Sequence, residues 1–276
     1  MRTRVPLLLF LAAAVFAPAC ANLHWQRQRL APGLGWRHTH TQQLFHSKQS
    51  IQVLDIDTRK RRLSLAFVTD TFLPTSRLAQ DSGALAAVNA GFFKIREGRG
   101  SATYLRVRGR TVDDMPAQGH PRLNGALILR ADGHGAPGIE YARPNAAYNA
   151  DTTGQTVLVT GPVLLLDGKA QALESEPEFN VKRHPRTCAC TRGRNRLLLV
   201  TVDGRHENQA DGMSLFELTG LMKTLRCRNA INLDGGGSTT LWIRGQPDNG
   251  VVNYPSDNKK FDHFGERPVM NALLVH

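Results

Sequence analysis

The sequence predicts an α+β fold, with a mixed, mostly antiparallel sheet, a few helices and a single domain. Three observations carry this expectation. Apolar runs of strand length recur along the chain, separated by polar turns. One amphipathic segment opens with the capping signal Ser214-x-x-Glu217 and predicts a helix. That helix lies between two apolar strands, and the strand–helix–strand unit sits among hairpins. With 276 residues and 41% hydrophobic content, the chain can build a sizeable core.

The elements follow in order. Arg2 and Arg4, an apolar run over residues 5–16 and the small residues Ala17, Pro18, Ala19 and Ala21 read as an export signal over residues 1–21. Ala17-x-Ala19 and Ala19-x-Ala21 both suit ordinary cleavage, so the expectation is a periplasmic or secreted protein. Cys20 after small residues also suits a lipid anchor. Beyond the signal, no run approaches the ~20 apolar residues of a membrane span. Residues 22–48 are basic and mixed, with Trp25, Trp36, His38, His40 and His46, and read as a lead-in that begins to order near Trp36. The domain is expected over residues 49–276.

Residues 51–57 and 63–68 alternate or run apolar around a basic link of four Arg and Lys residues, which predicts a hairpin. Pro74 starts a short helix with Thr75 or Ser76 as cap. Residues 85–88 form a strand that delivers Asn89, Ala90, Gly91, Phe92 and Phe93, with one Phe expected in the core and one at a site. Strands at 124–129 and 163–166 are each followed by an Asp-Gly turn. Residues 136–153 show no period and read as loop or irregular edge. The run 197–202 is continuously apolar and predicts a strand buried on both faces. Leu215, Leu218, Met222 and Leu225 give the next helix its apolar face. A closing strand spans 269–275.

Loss of Arg2 and Arg4 with the signal lowers the formal charge from +12 to +10. A basic exported protein favours anionic partners, but charge alone does not choose among phosphorylated glycans, anionic envelope polymers and nucleic acid. Four cysteines do not make a disulfide framework in a chain this long. A bridge from Cys227 to Cys188 or Cys190 fits an oxidising compartment, and a buried free Cys227 fits as well. Cys188-x-Cys190 does not have the spacing of a usual zinc site.

The most informative stretch is Ala230-Ile231-Asn232-Leu233-Asp234-Gly235-Gly236-Gly237-Ser238-Thr239-Thr240. A strand ends in a carboxylate, three glycines strip the turn of Cβ atoms, and hydroxyls follow. Such a backbone accepts positive φ and close approach of a ligand. Together with Val88-Asn89-Ala90-Gly91-Phe92-Phe93, His184-Pro185-Arg186-Thr187, Val202-Asp203-Gly204-Arg205, Gly212-Met213-Ser214-Leu215-Phe216-Glu217-Leu218 and Glu266-Arg267-Pro268-Val269-Met270-Asn271, this stretch resembles the phosphodiester glycosidase domain. The resemblance runs from about Ser50 to the C-terminus. It departs at Cys188-Ala189-Cys190, where small inert residues are expected.

The resemblance implies hydrolysis of a sugar joined through its anomeric oxygen to a phosphodiester. Asp234 is the first candidate for the carboxylate that faces the developing positive charge. Glu217 is the second, although its capping position accounts for it; Asp203 and Glu266 are further candidates. His184 is a candidate general acid. Arg186, Arg267 and Arg205 are candidate phosphate binders, because guanidinium offers a fork of donors. Gly235, Gly236, Gly237, Ser238 and Thr239 suit an anion nest. Asn89, Phe92 and Asn271 suit the sugar. No cofactor is required; Asn232, Asp234 and Asn271 suit Ca²⁺ as well as sugar hydroxyls. The expected partner is therefore an anionic carbohydrate or glycan phosphodiester, such as an exopolysaccharide, rather than nucleic acid. A non-catalytic glycan-binding protein of the cell envelope and a phosphodiesterase cutting on the phosphate side are the alternatives.

Overall fold

A computed structural model describes residues 23–95, 100–116, 122–173 and 176–276. The first strands are β1 Gln26–Ala31, β2 Leu34–Leu44, β3 Ser47–Asp57 and β4 Leu63–Phe67, followed by helix α1 Thr75–Asp81 and β5 Ala86–Asn89. The middle of the chain gives β6 Leu105–Val107, β7 Arg110–Asp113, β8 Gly125–Leu129, β9 Gly138–Tyr141, α2 Asn145–Asn149, β10 Thr156–Thr160, β11 Val163–Leu166 and β12 Lys169–Ala170. The last part gives β13 Arg186–Thr191, β14 Arg196–Val202, α3 Leu215–Thr224, β15 Asn229–Asn232, β16 Leu241–Ile243 and β17 Asn271–Val275.

Three sheets result. The largest has the order β1-β2-β3-β14-β13-β15-β11-β12, the second β7-β6-β10-β8-β9 and the third β16-β5-β17-β4. The ladders between these strands are antiparallel.

β14 shows why its sequence is apolar without a break. Leu197 and Leu199 point into a cluster shared with Val88, Leu127, Leu158 and Leu273 from the other two sheets. Leu198, Val200 and Val202 point to the opposite face, where α3 covers them with Leu215, Leu218, Leu221 and Met222. Both faces are buried, so period-two alternation has no polar side to show. α3 forms as its sequence predicts. Ser214 Oγ accepts the Glu217 N–H while the Glu217 carboxylate accepts the Ser214 N–H, a complete capping box.

Several expectations are corrected. The lead-in over residues 22–48 instead carries β1, β2 and the start of β3, and the β2–β3 ladder runs from Leu34↔Ile56 to Leu44↔Ser47. Apolar residues are sparse on β1 because it is an edge strand with four exposed residues. Residues 51–57 and 63–68 do not pair: β3 joins β2 and β14, whereas β4 joins β17 in another sheet. The basic link therefore carries the chain between sheets. Residues 136–153 contain β9 and the one-turn helix α2. Neither Thr75 nor Ser76 caps α1. Pro74 holds that position without a side-chain bond, and the Glu266 carboxylate accepts both the Ser76 N–H and the Ser76 hydroxyl at 2.7 Å. The export signal lies outside the described residues. Among the described residues, no helix is long and apolar enough to cross a membrane.

Cys190 and Cys227 form a disulfide across 37 positions, and Cys188 is buried and free. Burial pushes the Cys188 thiol well above its usual range. The bridge ties the far end of β13 to the turn between α3 and β15. Closing a loop of that length stabilises the fold by roughly 2–4 kcal/mol. A Cys190→Ala/Cys227→Ala variant should lower the urea unfolding midpoint accordingly; an unchanged midpoint would mean that the bridge contributes nothing to stability.

Candidate active site

Antiparallel pairing brings the start of one strand beside the end of the next. Arg186 opens β13 opposite Val202, Cys188 pairs with Asn232 at the end of β15, and Asn89 closes β5 opposite Ala272. The segments at these strand ends are stitched together by backbone hydrogen bonds. Asp234 N–H donates to the Ala90 carbonyl at 2.8 Å, Gly236 N–H to Pro185 at 2.9 Å and Leu233 N–H to Thr187 at 2.8 Å.

Each of the three glycines makes room for a different group. A Cβ on Gly235 would sit 2.7 Å from the Pro185 carbonyl oxygen. Gly236 has φ +59°, and a Cβ there would press on the Arg205 guanidinium at 3.1 Å. A Cβ on Gly237 would collide with the Arg267 guanidinium and the Asp257 carboxylate. The loop is thus covered by two arginines that approach because nothing projects from it.

Asp234 is partly exposed at the start of this loop. Burial raises its pKa to about 6, against the lowering effects of Ser238, Arg267, the Gly235 amide and Arg205. Arg267 is paired with Asp257 at 2.5 Å, and that pairing raises its own pKa. Arg205 has no carboxylate partner among the described residues; burial, then Arg267, lower its pKa. Arg186 is 2% exposed and donates from Nε to the Met213 carbonyl at 2.9 Å and from Nη2 to Phe179 at 2.6 Å and Lys182 at 3.2 Å. It stacks on the Phe179 ring. Burial, and then Arg205, bring its pKa down to about 9. Three cations and two carboxylates, Asp234 and Asp257, therefore share this end of the sheets, with a net positive field that an anion would relieve.

His184 closes the cluster. Its Nε2 lies 2.8 Å from the Glu178 carbonyl, which requires a proton on that nitrogen, and its Nδ1 accepts from Arg205 Nη2 at 3.4 Å. Burial, with Arg186 and Arg205, lowers its pKa. Both ring nitrogens are occupied, so the imidazole is neutral and oriented rather than poised as an acid. Phe92 packs against Phe179 beside Arg186, whereas Phe93 packs on Phe72 in a separate apolar cluster. One Phe belongs to the site and one to the core.

Other sequence candidates turn out to build the site rather than line it. Asn89 is fully buried: its Nδ2 donates to the Asp234 carbonyl at 2.6 Å, and its Oδ1 accepts from the Thr187 hydroxyl at 2.7 Å and the Thr240 N–H at 3.1 Å. Asn271 Oδ1 accepts the Gly91 N–H at 2.5 Å. Asp203 is fully buried and accepts from the Ser50 hydroxyl, the Asn253 amide and the Tyr254 N–H at 2.6, 3.0 and 2.9 Å. Burial raises its pKa. Glu217 is held by its capping box and by Arg183 at 2.5 Å. Glu266 caps α1. The reason is common to all of them: a buried polar group needs partners, and tight strand ends supply backbone ones.

Asn232 also spends its amide on the Gly161 and Leu233 carbonyls, at 2.8 and 2.7 Å. Among the described residues, no three His, Cys, Asp or Glu side chains converge in a metal-holding arrangement. Thr239 and Thr240, beside the loop, have buried hydroxyls without a hydrogen-bond partner among the described residues. Asp257 was not a candidate from sequence, where it is one of several polar residues in a loop; its role is visible only through Arg267.

Comparison with known proteins fits this geometry. The sequence matches the phosphodiester glycosidase family over residues 82–276. The chain belongs to this family. It is 27% identical over 233 residues to mouse N-acetylglucosamine-1-phosphodiester alpha-N-acetylglucosaminidase, covering 79% of this chain and 40% of the mouse protein. The bovine protein of the same name is 27% identical over 210 residues, covering 72% and 38%. The chain thus spans about two-fifths of the length of these relatives. In fold it is similar to the catalytic domain of the zebrafish protein, with TM-score 0.69, 20% identity and coverage of 91% of this chain and 88% of that one. A Burkholderia pseudomallei protein described as exported is similar with TM-score 0.62, 18% identity and coverage of 83% and 74%.

The structural assignment of Asn89 is testable. Asn89→Ala would strand the Thr187 hydroxyl, the Thr240 N–H and the Asp234 carbonyl, and should cost roughly 2–5 kcal/mol in denaturant unfolding. A variant as stable as the wild type would return Asn89 to the list of ligand-binding residues.

Proposed function

We propose that this chain is an exported hydrolase that cleaves the glycosidic bond of a sugar-1-phosphodiester or a related anionic glycan. The observation that carries the proposal is the Asp234 carboxylate, with a pKa of about 6, beside Arg205 and Arg267 on a glycine loop. Water adds at the anomeric carbon, the bond from that carbon to the phosphate oxygen breaks, and the aglycone leaves as its phosphomonoester. Asp234 is ionised near neutral pH and faces the cationic sugar as the bond breaks. Arg205, free of carboxylate partners among the described residues, is the readiest cation for the phosphate. Arg267 has part of its charge committed to Asp257 and so takes a secondary share. Arg186 is too deeply engaged with carbonyls to bind directly; it contributes field and holds Phe179. A phosphate leaving group needs little protonation, which agrees with a neutral, fully occupied His184. Export is supported by the N-terminal signal pattern, by the Cys190–Cys227 bridge and by similarity to an exported protein.

The direct test is release of free sugar, as opposed to sugar phosphate, from a panel of sugar-1-phosphodiesters. Asp234→Asn should lower turnover by roughly 10²-fold or more. The carboxylate pKa is raised on folding, so its charge costs stability as pH rises from the ordinary Asp value toward about 6, and that cost persists above it. The Asn variant should therefore melt no lower than the wild type at pH 8. A stable variant that keeps full activity would remove Asp234 from the chemistry.

The pH profile gives an independent measurement. A phosphodiester does not titrate near neutrality, so a limb in kcat/KM belongs to the enzyme. Activity should fall as pH drops through about 6, where Asp234 takes up its proton. Activity that instead rises on acidification through the same range would make Asp234 the acid rather than the charge-stabilising base.

A further inference from the structure

We infer that a second sugar-binding site lies beside the candidate active site, in a cleft between β2 and the loop 246–263, and that it takes a neutral pyranose unit of a glycan chain. The choice of ligand rests on the proposed glycan-processing function; the site itself does not. The cleft has a volume of about 250 Å³ and is lined by Trp36, Gln52, Gln246, Asp248, Tyr254 and His263, among others.

Its walls have the chemistry that pyranose rings require. Trp36 stacks with His38 at 4.7 Å between ring centroids, and Tyr254 lies 5.7 Å from His40 and 3.8 Å from Phe261. Flat aromatic faces cover the apolar face of a sugar. Between them stand groups that bond hydroxyls. Trp36 Nε1 donates to Gln52 Oε1 at 3.1 Å, which fixes both side chains. Gln52 is 1% exposed and lines the cleft, and its only side-chain hydrogen bond among the described residues is the one from Trp36. Its amide nitrogen is a donor open to a sugar hydroxyl. Asp248 adds an acceptor, 3.9 Å from His263.

Charge separates this cleft from the active site. No arginine or lysine is found in its lining among the described residues, so it offers a phosphate no fixed cation. The two are nonetheless built on one turn. Asp203 holds the Tyr254 N–H, and two residues later Arg205 covers Gly236. His206 follows Arg205, with Nε2 3.2 Å from the Tyr254 carbonyl and its ring 5.1 Å from Phe261. A line of rings therefore runs from the phosphate-binding arginine to Trp36, and a glycan carrying the scissile diester can lie along it.

The test is a titration of the full chain with neutral tetraoses of glucose, galactose, mannose and N-acetylglucosamine at millimolar concentration, read by Trp fluorescence and calorimetry. At least one should bind, and Trp36→Ala should weaken it about tenfold, the loss of one good ring contact. Asp248→Ala, on an exposed turn, should also weaken it. Neither variant should change hydrolysis of a sugar-1-phosphodiester with a small aglycone, while both should raise KM for one attached to an oligosaccharide. Absence of binding by all four tetraoses, or wild-type binding in both variants, overturns the inference. So does a wild-type dimer that Trp36→Ala dissociates, since the cleft would then receive a second copy of the chain. Sugar binding without hydrolysis of any diester would leave this site standing and remove only the proposed activity.

Discussion

Everything at the candidate site depends on the absence of three Cβ atoms. Gly235 lets the loop lie against the Pro185 carbonyl, Gly236 lets it turn through positive φ beneath Arg205, and Gly237 makes room for Arg267 with Asp257. An alanine at Gly235 would push the loop off the Pro185 carbonyl, at Gly236 it would strain the positive φ, and at Gly237 it would displace the Arg267 and Asp257 side chains. The segments that carry these groups come from distant points of the chain, and the loop is where they meet. Its stiffness is borrowed from the strands on either side, since the loop has little side-chain packing of its own.

The second constraint is electrostatic. Placing Arg186, Arg205 and Arg267 near one another is unfavourable in isolation: beyond the larger effect of burial, Arg205 lowers the pKa of Arg186 and Arg267 lowers that of Arg205. Asp257 offsets part of this charge and Asp234 another part. The remainder is what makes the place attractive to an anion. At the same time the arginines stop burial from driving Asp234 still higher, so a carboxylate in a desolvated position stays ionised near neutrality. Each sign of charge is kept usable by the other.

Much of this was legible in the sequence, and the failures have physical causes. The capping box at Ser214 and Glu217 is local, so four residues suffice to predict it. The buried strand at 197–202 follows from an apolar run alone. Pairing partners are not local: residues 51–57 and 63–68 look like a hairpin, but nothing within them states that their hydrogen bonds go to different sheets. β2 escaped notice because Trp36, Arg37, His38 and His40 are polar or amphipathic, although they sit in regular register with β3. Residue types suited to a site can be named from sequence, but their hydrogen-bond partners cannot. Asn89, Asn271 and Asp203 carry groups suited to a sugar, and only their partners reveal that backbone amides, hydroxyls and carbonyls already occupy them. The bridge from Cys190 rather than Cys188 follows from register: the two share a face, but Cys190 pairs with Ala230 near the start of β15, beside the turn at Cys227.

The bond from Glu266 to α1 has a consequence for how occupancy can be observed. Glu266 grips the first turn of that helix through the Ser76 amide and hydroxyl, and the next residue is Arg267. Burial raises the Glu266 pKa, so its charge depends on keeping those two donors. Any anion that draws Arg267 away from Asp257 pulls on a peptide unit whose other side is anchored to α1. The Ser76 amide is thus a built-in gauge: its rate of exchange with deuterium reports on Arg267 and the glycine loop from the first turn of α1.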